Sequence, residues 1–148
     1  MKPVVHAVAG AIAMLTILSF WISTLISELF LCHAAIVAVK QAILYGMLLL
    51  IPALATTGGS GILLASGHSE LLVKNKQMRM RIIAANGLLI MMPCAFFLFH
   101  KATVGEFDSV FYLVQTVELL VGAIQLSLLG LNFRDGLKLA GRLRFAKP

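Results

Sequence analysis

The sequence predicts an all-α fold: a polytopic membrane protein with four transmembrane helices, arranged as two antiparallel hairpins in one bundle. Three observations predict it. Of 148 residues, 60% are hydrophobic and 12% charged, about half the charged share of a soluble domain. Mean hydropathy is +0.98, more apolar surface than a soluble domain this small can bury. The apolar residues also gather into four runs long enough to cross a bilayer, which takes about 20 residues each. A soluble enzyme, a nucleic-acid-binding domain and a disordered chain are excluded on these grounds. The runs are continuous and do not alternate, which favours helices over barrel strands.

The first span is read over 4–26 and carries no charge. It is long for the apolar part of a signal peptide. The bulky Leu31 before Cys32 argues against a lipoprotein cleavage site, so this helix is expected to be retained. Ala7, Gly10, Ala11 and Met14 give it a face of small or flexible residues suited to close helix approach. The second span, 34–56, contains Lys40 and Gln41; the third, 80–99, contains Asn86 and Pro93. The fourth, 107–132, contains Gln115, Glu118 and Gln125.

Short connections at 27–33 and 101–106 close the two hairpins. The middle connection, 57–79, opens on Thr57-Gly58-Gly59-Ser60-Gly61. It is read as a flexible turn and not a phosphate loop, because no Gly-Lys-Ser/Thr comes after it. Residues 133–148 form a basic tail in which Leu137, Leu139, Ala140 and Leu143 interleave with Lys138, Arg142 and Arg144. Two forms suit it: an amphipathic helix on the inner leaflet, or a continuation of the fourth helix.

Twelve Lys and Arg against six Asp and Glu leave a net charge of +6. Ten of the twelve fall on one side of the predicted topology: Lys2, four between 74 and 81, and five between 134 and 147. Lys40 and Lys101 fall on the other. The positive-inside rule then places both termini in the cytoplasm, in the inner (plasma) membrane, with anionic lipid as a partner at that face. No nucleic-acid partner is implied.

Intramembrane ionisable residues are expensive, and they mark functional sites by default. Glu118 lies deep in the fourth span, on one stripe with Gln115, Gly122, Gln125 and Asn132. That stripe must face protein. It serves either as interhelical hydrogen bonding or as a buried ligand or proton site. Lys40 is the natural partner, with a stem that snorkels outward or reaches inward to Glu118. Asn86, Pro93 and His100 fall at heptad spacing, and Pro93 is expected to kink its helix. The intramembrane polar site is therefore read as Glu118, Lys40, Gln115, Gln125 and Asn86.

Cys32 and Cys94 define no disulfide framework, and no metal-binding spacing is present. No nucleophile elbow, dinucleotide fingerprint or Cys-x-x-Cys occurs, so no catalytic residues are assigned. Four histidines raise one cofactor, haem b. In architecture alone the chain resembles b-type membrane cytochromes. If haem is bound, His33 and His100 are the favoured axial pair, because both lie at the outer rim on different helices, with His6 and His68 as the less favoured set. Small multidrug-type transporters share four helices and one membrane carboxylate, but theirs lies in the first helix and Glu118 lies in the last.

Three functions are compatible with these features. The first is a small membrane protein without its own catalysis, an accessory or assembly subunit beside a larger complex or self-associated. The second is a haem b electron-transfer protein. The third is a proton-coupled carrier using Glu118.

Overall fold

The structure is a computed structural model that describes residues 2–65 and 71–145. The elements are α1 (Lys2–Phe30), α2 (His33–Ala65), α3 (Leu71–Asn86), a π-helical turn (Gly87–Met91), α4 (Met92–Thr103) and α5 (Ser109–Phe145). His68 lies outside the described residues, as do Met1 and the last three residues of the tail. Four stretches are long and apolar enough to cross a membrane: Val4–Phe30, His33–Leu63, Val73–Thr103 and Ser109–Lys138. The chain is an all-α, multi-pass membrane bundle.

Each helix outruns its hydropathy window. Without water in the hydrocarbon, backbone groups must pair within the helix. The Gly-rich stretch after Thr56 is therefore not the turn that its glycines suggest; it is helical and belongs to α2. Local bonds help, with Thr57 Oγ1 donating to Ala53 O at 2.7 Å. Glycine also admits a neighbour there: a Cβ on Gly61 would sit 3.2 Å from the His6 ring. Likewise the charged segment before Met80 is helical and opens α3. Residues 133–145 continue α5 without a break.

The third crossing is not uniform. The π turn inserts one residue between α3 and α4, and the Met92 N–H donates five residues back to Gly87 O. Pro93 stands next, at the start of α4. Proline has no N–H and its ring crowds the carbonyl four residues earlier; the wider turn makes room for it. The inserted residue rotates α4 by about 100° relative to α3. Asn86, Pro93 and His100 therefore do not form a core face: Asn86 is half-buried, and Pro93 and His100 are exposed.

Two loops close one end of the bundle. After α4 the chain turns at Gly105, whose φ of 75° suits glycine. The Glu106 N–H reaches back to Lys101 O at 3.0 Å, which caps the helix end. Asp108 then caps α5, with the Phe111 N–H donating to Asp108 Oδ1 at 2.8 Å. His33 and Phe107 stack across the two loops at 4.0 Å between ring centres. The opposite end carries the start of α1, the end of α2, the start of α3 and the end of α5.

α5 is the keystone helix. Phe111, Gln115, Glu118, Gly122, Gln125, Leu129 and Asn132 are all buried, alternating three- and four-residue steps along one face. That is the seam of left-handed helix packing. Two apolar clusters flank its middle. Ile36, Leu98, Ala102 and Phe111 pack near the loop end; Ile17, Ile83 and Leu129 pack nearer the termini.

Candidate functional site

The site lies between those clusters, where Lys40 of α2 reaches across the bundle to α5. Lys40 is 1% exposed and fully enclosed. Its stem reaches inward, and its ammonium donates to Glu118 Oε2 at 2.8 Å and to Gln115 Oε1. Gln115 also donates from Nε2 to the same Glu118 oxygen at 3.1 Å. Gln115 and Glu118 are one turn apart on α5, so a single face presents both to Lys40. An ammonium has three protons and no acceptor, and two go to oxygens on α5.

α1 adds a residue that hydropathy does not single out. Glu28 lies near the end of α1 and faces Lys40, Glu118 and His33 electrostatically. Both its carboxylate oxygens are buried and have no hydrogen-bond partner among the described residues. One cation thus sits among two carboxyl groups from two different helices. The signal is present in the sequence, since Glu28 extends the face of Trp21 and Thr24 by one turn. Hydropathy misses it because it falls just beyond the apolar window.

The other predicted polar residues go elsewhere. Gln125 is 2% exposed and donates from Nε2 to Ile83 O at 3.1 Å, tying α5 to α3. Asn86 does not join the Lys40 cluster. Asn132 belongs to a second polar centre. There Arg79 donates to Asn132 Oδ1 at 3.2 Å and, from both terminal nitrogens, to Asp135 Oδ2 at 2.9 Å. Asp135 is 2% exposed, and Lys76 adds a further positive charge nearby. Sequence reasoning misses Arg79 and Asp135, because hydropathy assigns one to a connection and the other to the tail.

Among the described residues, the histidines do not fit a buried haem. One face of the His33 ring is covered by Phe107, and both His33 and His100 are exposed. Neither lines a described cavity. His6 instead pairs through Nδ1 with Thr57 O at 3.0 Å and Ser60 Oγ at 3.1 Å, which locks α1 to α2. Cys32 is exposed and Cys94 half-buried, and both are free thiols. No group of three or more His, Cys, Asp or Glu is placed to hold a metal among the described residues.

Two cavities open between the helices. One, of about 410 Å³, runs through mid-bundle between α1, α2, the π turn and α5, with Glu118 and Gln125 on its wall. The other, of about 380 Å³, lies nearer the termini and carries His6, Lys76 and Arg81. Trp21 donates from Nε1 to Leu119 O at 2.9 Å beside the first. Comparison with family models, with curated proteins and with solved structures finds no match, so the functional reading rests on this site alone.

Proposed function

We propose that this is an inner-membrane protein without chemistry of its own, an accessory or assembly subunit beside a larger membrane complex. One observation carries this reading: two cations inside the bundle are each held by a carboxylate and an amide of α5. Lys40 is held by Glu118 and Gln115, and Arg79 by Asp135 and Asn132. Such closed pairs set helix register and partner choice. The described loops, 31–32 and 104–108, are too short to carry a catalytic domain.

In this reading the partners are the bilayer, anionic lipid at the cytoplasmic face, and another membrane protein or a second copy. Native size in gently solubilised membranes tests it. The chain is expected in an assembly several times its 16.0 kDa, and to lose stability when stripped from it. Migration as a single stable chain would sink the proposal.

The charge asymmetry supports cytoplasmic termini, with the loop end outside. Cys32 is exposed at the loop end and serves as a native reporter. An impermeant maleimide should label it in intact cells, and Cys32→Ser should abolish the label. Labelling only after the cytoplasmic face is opened would reverse the orientation.

A proton-coupled carrier is the second reading, favoured by Glu28, whose carboxylate the Lys40 cluster leaves without a hydrogen bond. Glu118→Gln combined with Lys40→Met, which leaves no stranded charge, should then stop pH-driven uptake in liposomes while the fold persists. Unchanged uptake, or no uptake in the native protein, removes this reading.

A further inference from the structure

The mid-bundle cavity is apolar except for Thr24 of α1 and one face of α5. Phe20 and Trp21 of α1, Met47 of α2 and Met91 of the π turn form much of its wall. Its 410 Å³ falls within the roughly 300–1,000 Å³ typical of small-molecule sites. The lining methionines are flexible and adapt to irregular shapes.

Glu118 and Gln125 stand one heptad apart on the wall, and they differ. Glu118 is engaged by Lys40 and Gln115. Gln125 is 2% exposed, and its carbonyl oxygen Oε1 has no partner among the described residues. Its amide nitrogen is already anchored on Ile83 O. A buried acceptor without a donor carries its full desolvation penalty. A hydrocarbon chain cannot relieve that, whereas a hydroxyl group can. The π turn on the same wall adds a second feature, since such turns concentrate at functional sites.

We propose that this cavity binds a lipophilic molecule with a hydroxyl head group, an alcohol or a phenol drawn from the bilayer. Its hydroxyl donates to Gln125 Oε1, and its apolar body lies against Trp21 and Met91. The site does not depend on the accessory role.

Trp21 is the only tryptophan in the chain and lines the cavity, so it reports occupancy directly. The full chain is placed in phosphatidylcholine nanodiscs and titrated with a bromine-tagged long-chain alcohol. A bromoalkane of equal length and a bromine-tagged alkylphenol are run alongside. At least one hydroxyl probe should quench Trp21 saturably, with half-saturation about fivefold below the bromoalkane, as one hydrogen bond provides. Whichever hydroxyl probe quenches at the lower concentration identifies the source as aliphatic or phenolic. Gln125→Leu should bring the hydroxyl probes to the bromoalkane curve and leave that curve unmoved. Gly58 also lines the cavity, and a Cβ there meets nothing within 4 Å. Gly58→Leu should fill the space and remove saturable quenching. Quenching that is non-saturable, or equal for hydroxyl probes and bromoalkane in the native chain, overturns the proposal without recourse to any variant. So does saturable quenching that survives Gly58→Leu.

Discussion

α5 carries two buried acidic residues, Glu118 and Asp135, and the protein treats them differently. Glu118 meets a lysine that is 1% exposed along its side chain; Asp135 meets an arginine that is 19% exposed. Lys40 is a compact point charge sealed inside the bundle. Arg79 is a planar fork, pairing at one edge of its guanidinium while part of it stays open. The surplus charge also has opposite sign. Near the loop end Glu28 adds a carboxylate to one cation; near the termini Lys76 adds a cation to the Arg79–Asp135 pair. A surplus cation near a bundle end can snorkel to the membrane interface. The surplus carboxylate of Glu28 has both oxygens buried without a hydrogen-bond partner among the described residues, and it has no such outlet. Depth, more than the type of pair, separates a structural clamp from a site under electrostatic stress.

The largest effect should come from breaking the deeper pair. Glu118→Gln strands Lys40, and removing one partner of a buried pair costs about 3–5 kcal/mol. Lys40→Met added to it should recover most of that loss, because a well-packed apolar replacement is often neutral. Unfolding of the two single mutants and the double mutant in detergent measures the coupling. Additive losses would break the comparison at its first term.

Asp135→Ala should cost less, about 1–2 kcal/mol, because the partly open Arg79 can snorkel towards the headgroups once released. A loss as large as that of Glu118→Gln would mean that both pairs are equally deep. Glu28→Gln should be smaller again. It removes the surplus negative charge without breaking any hydrogen bond, so the midpoint should stay level or rise by up to about 1 kcal/mol. A fall of several degrees would show that Glu28 holds a partner of its own.

The smallest effect lies at the loop end, outside the spans. Lys101, 2.8 Å from Asp108, and the Phe111 amide hold the Asp108 carboxyl below its ordinary 3.8. A depressed pKa contributes stability that is fully present above the unfolded value. It is lost as pH falls through the folded value. Acidification from about pH 5 to about pH 3 should therefore loosen the start of α5, seen as faster amide exchange at Phe111. Asp108→Asn should flatten that response. An unchanged profile in the variant would assign the loosening to another group.

Legibility from sequence varies along the chain. The stripe Gln115–Glu118–Gly122–Gln125 is legible because polar residues in an apolar run stand out, and lipid forbids them from facing outward. Lys40 is legible as a partner but not in its direction, since a lysine stem reaches either way. Arg79 and Asp135 are not legible, although Asp135 continues the α5 stripe three residues past Asn132. A hydropathy window averages over all faces. It ends a helix where charges begin, even when one face stays buried.

Composition and run length were enough to establish the four crossings, the helical class and the charged ends, because the bilayer imposes its thickness and its lack of hydrogen-bonding partners on any sequence. Only the packed bundle decided which oxygens Lys40 reaches, where the π turn absorbs Pro93, that Glu28 joins the cluster, and that a cavity opens beside Gln125. Those outcomes depend on helix rotation. A rotation of 100° per residue, together with one inserted residue before Pro93, changes which side chains meet without changing how apolar each segment is.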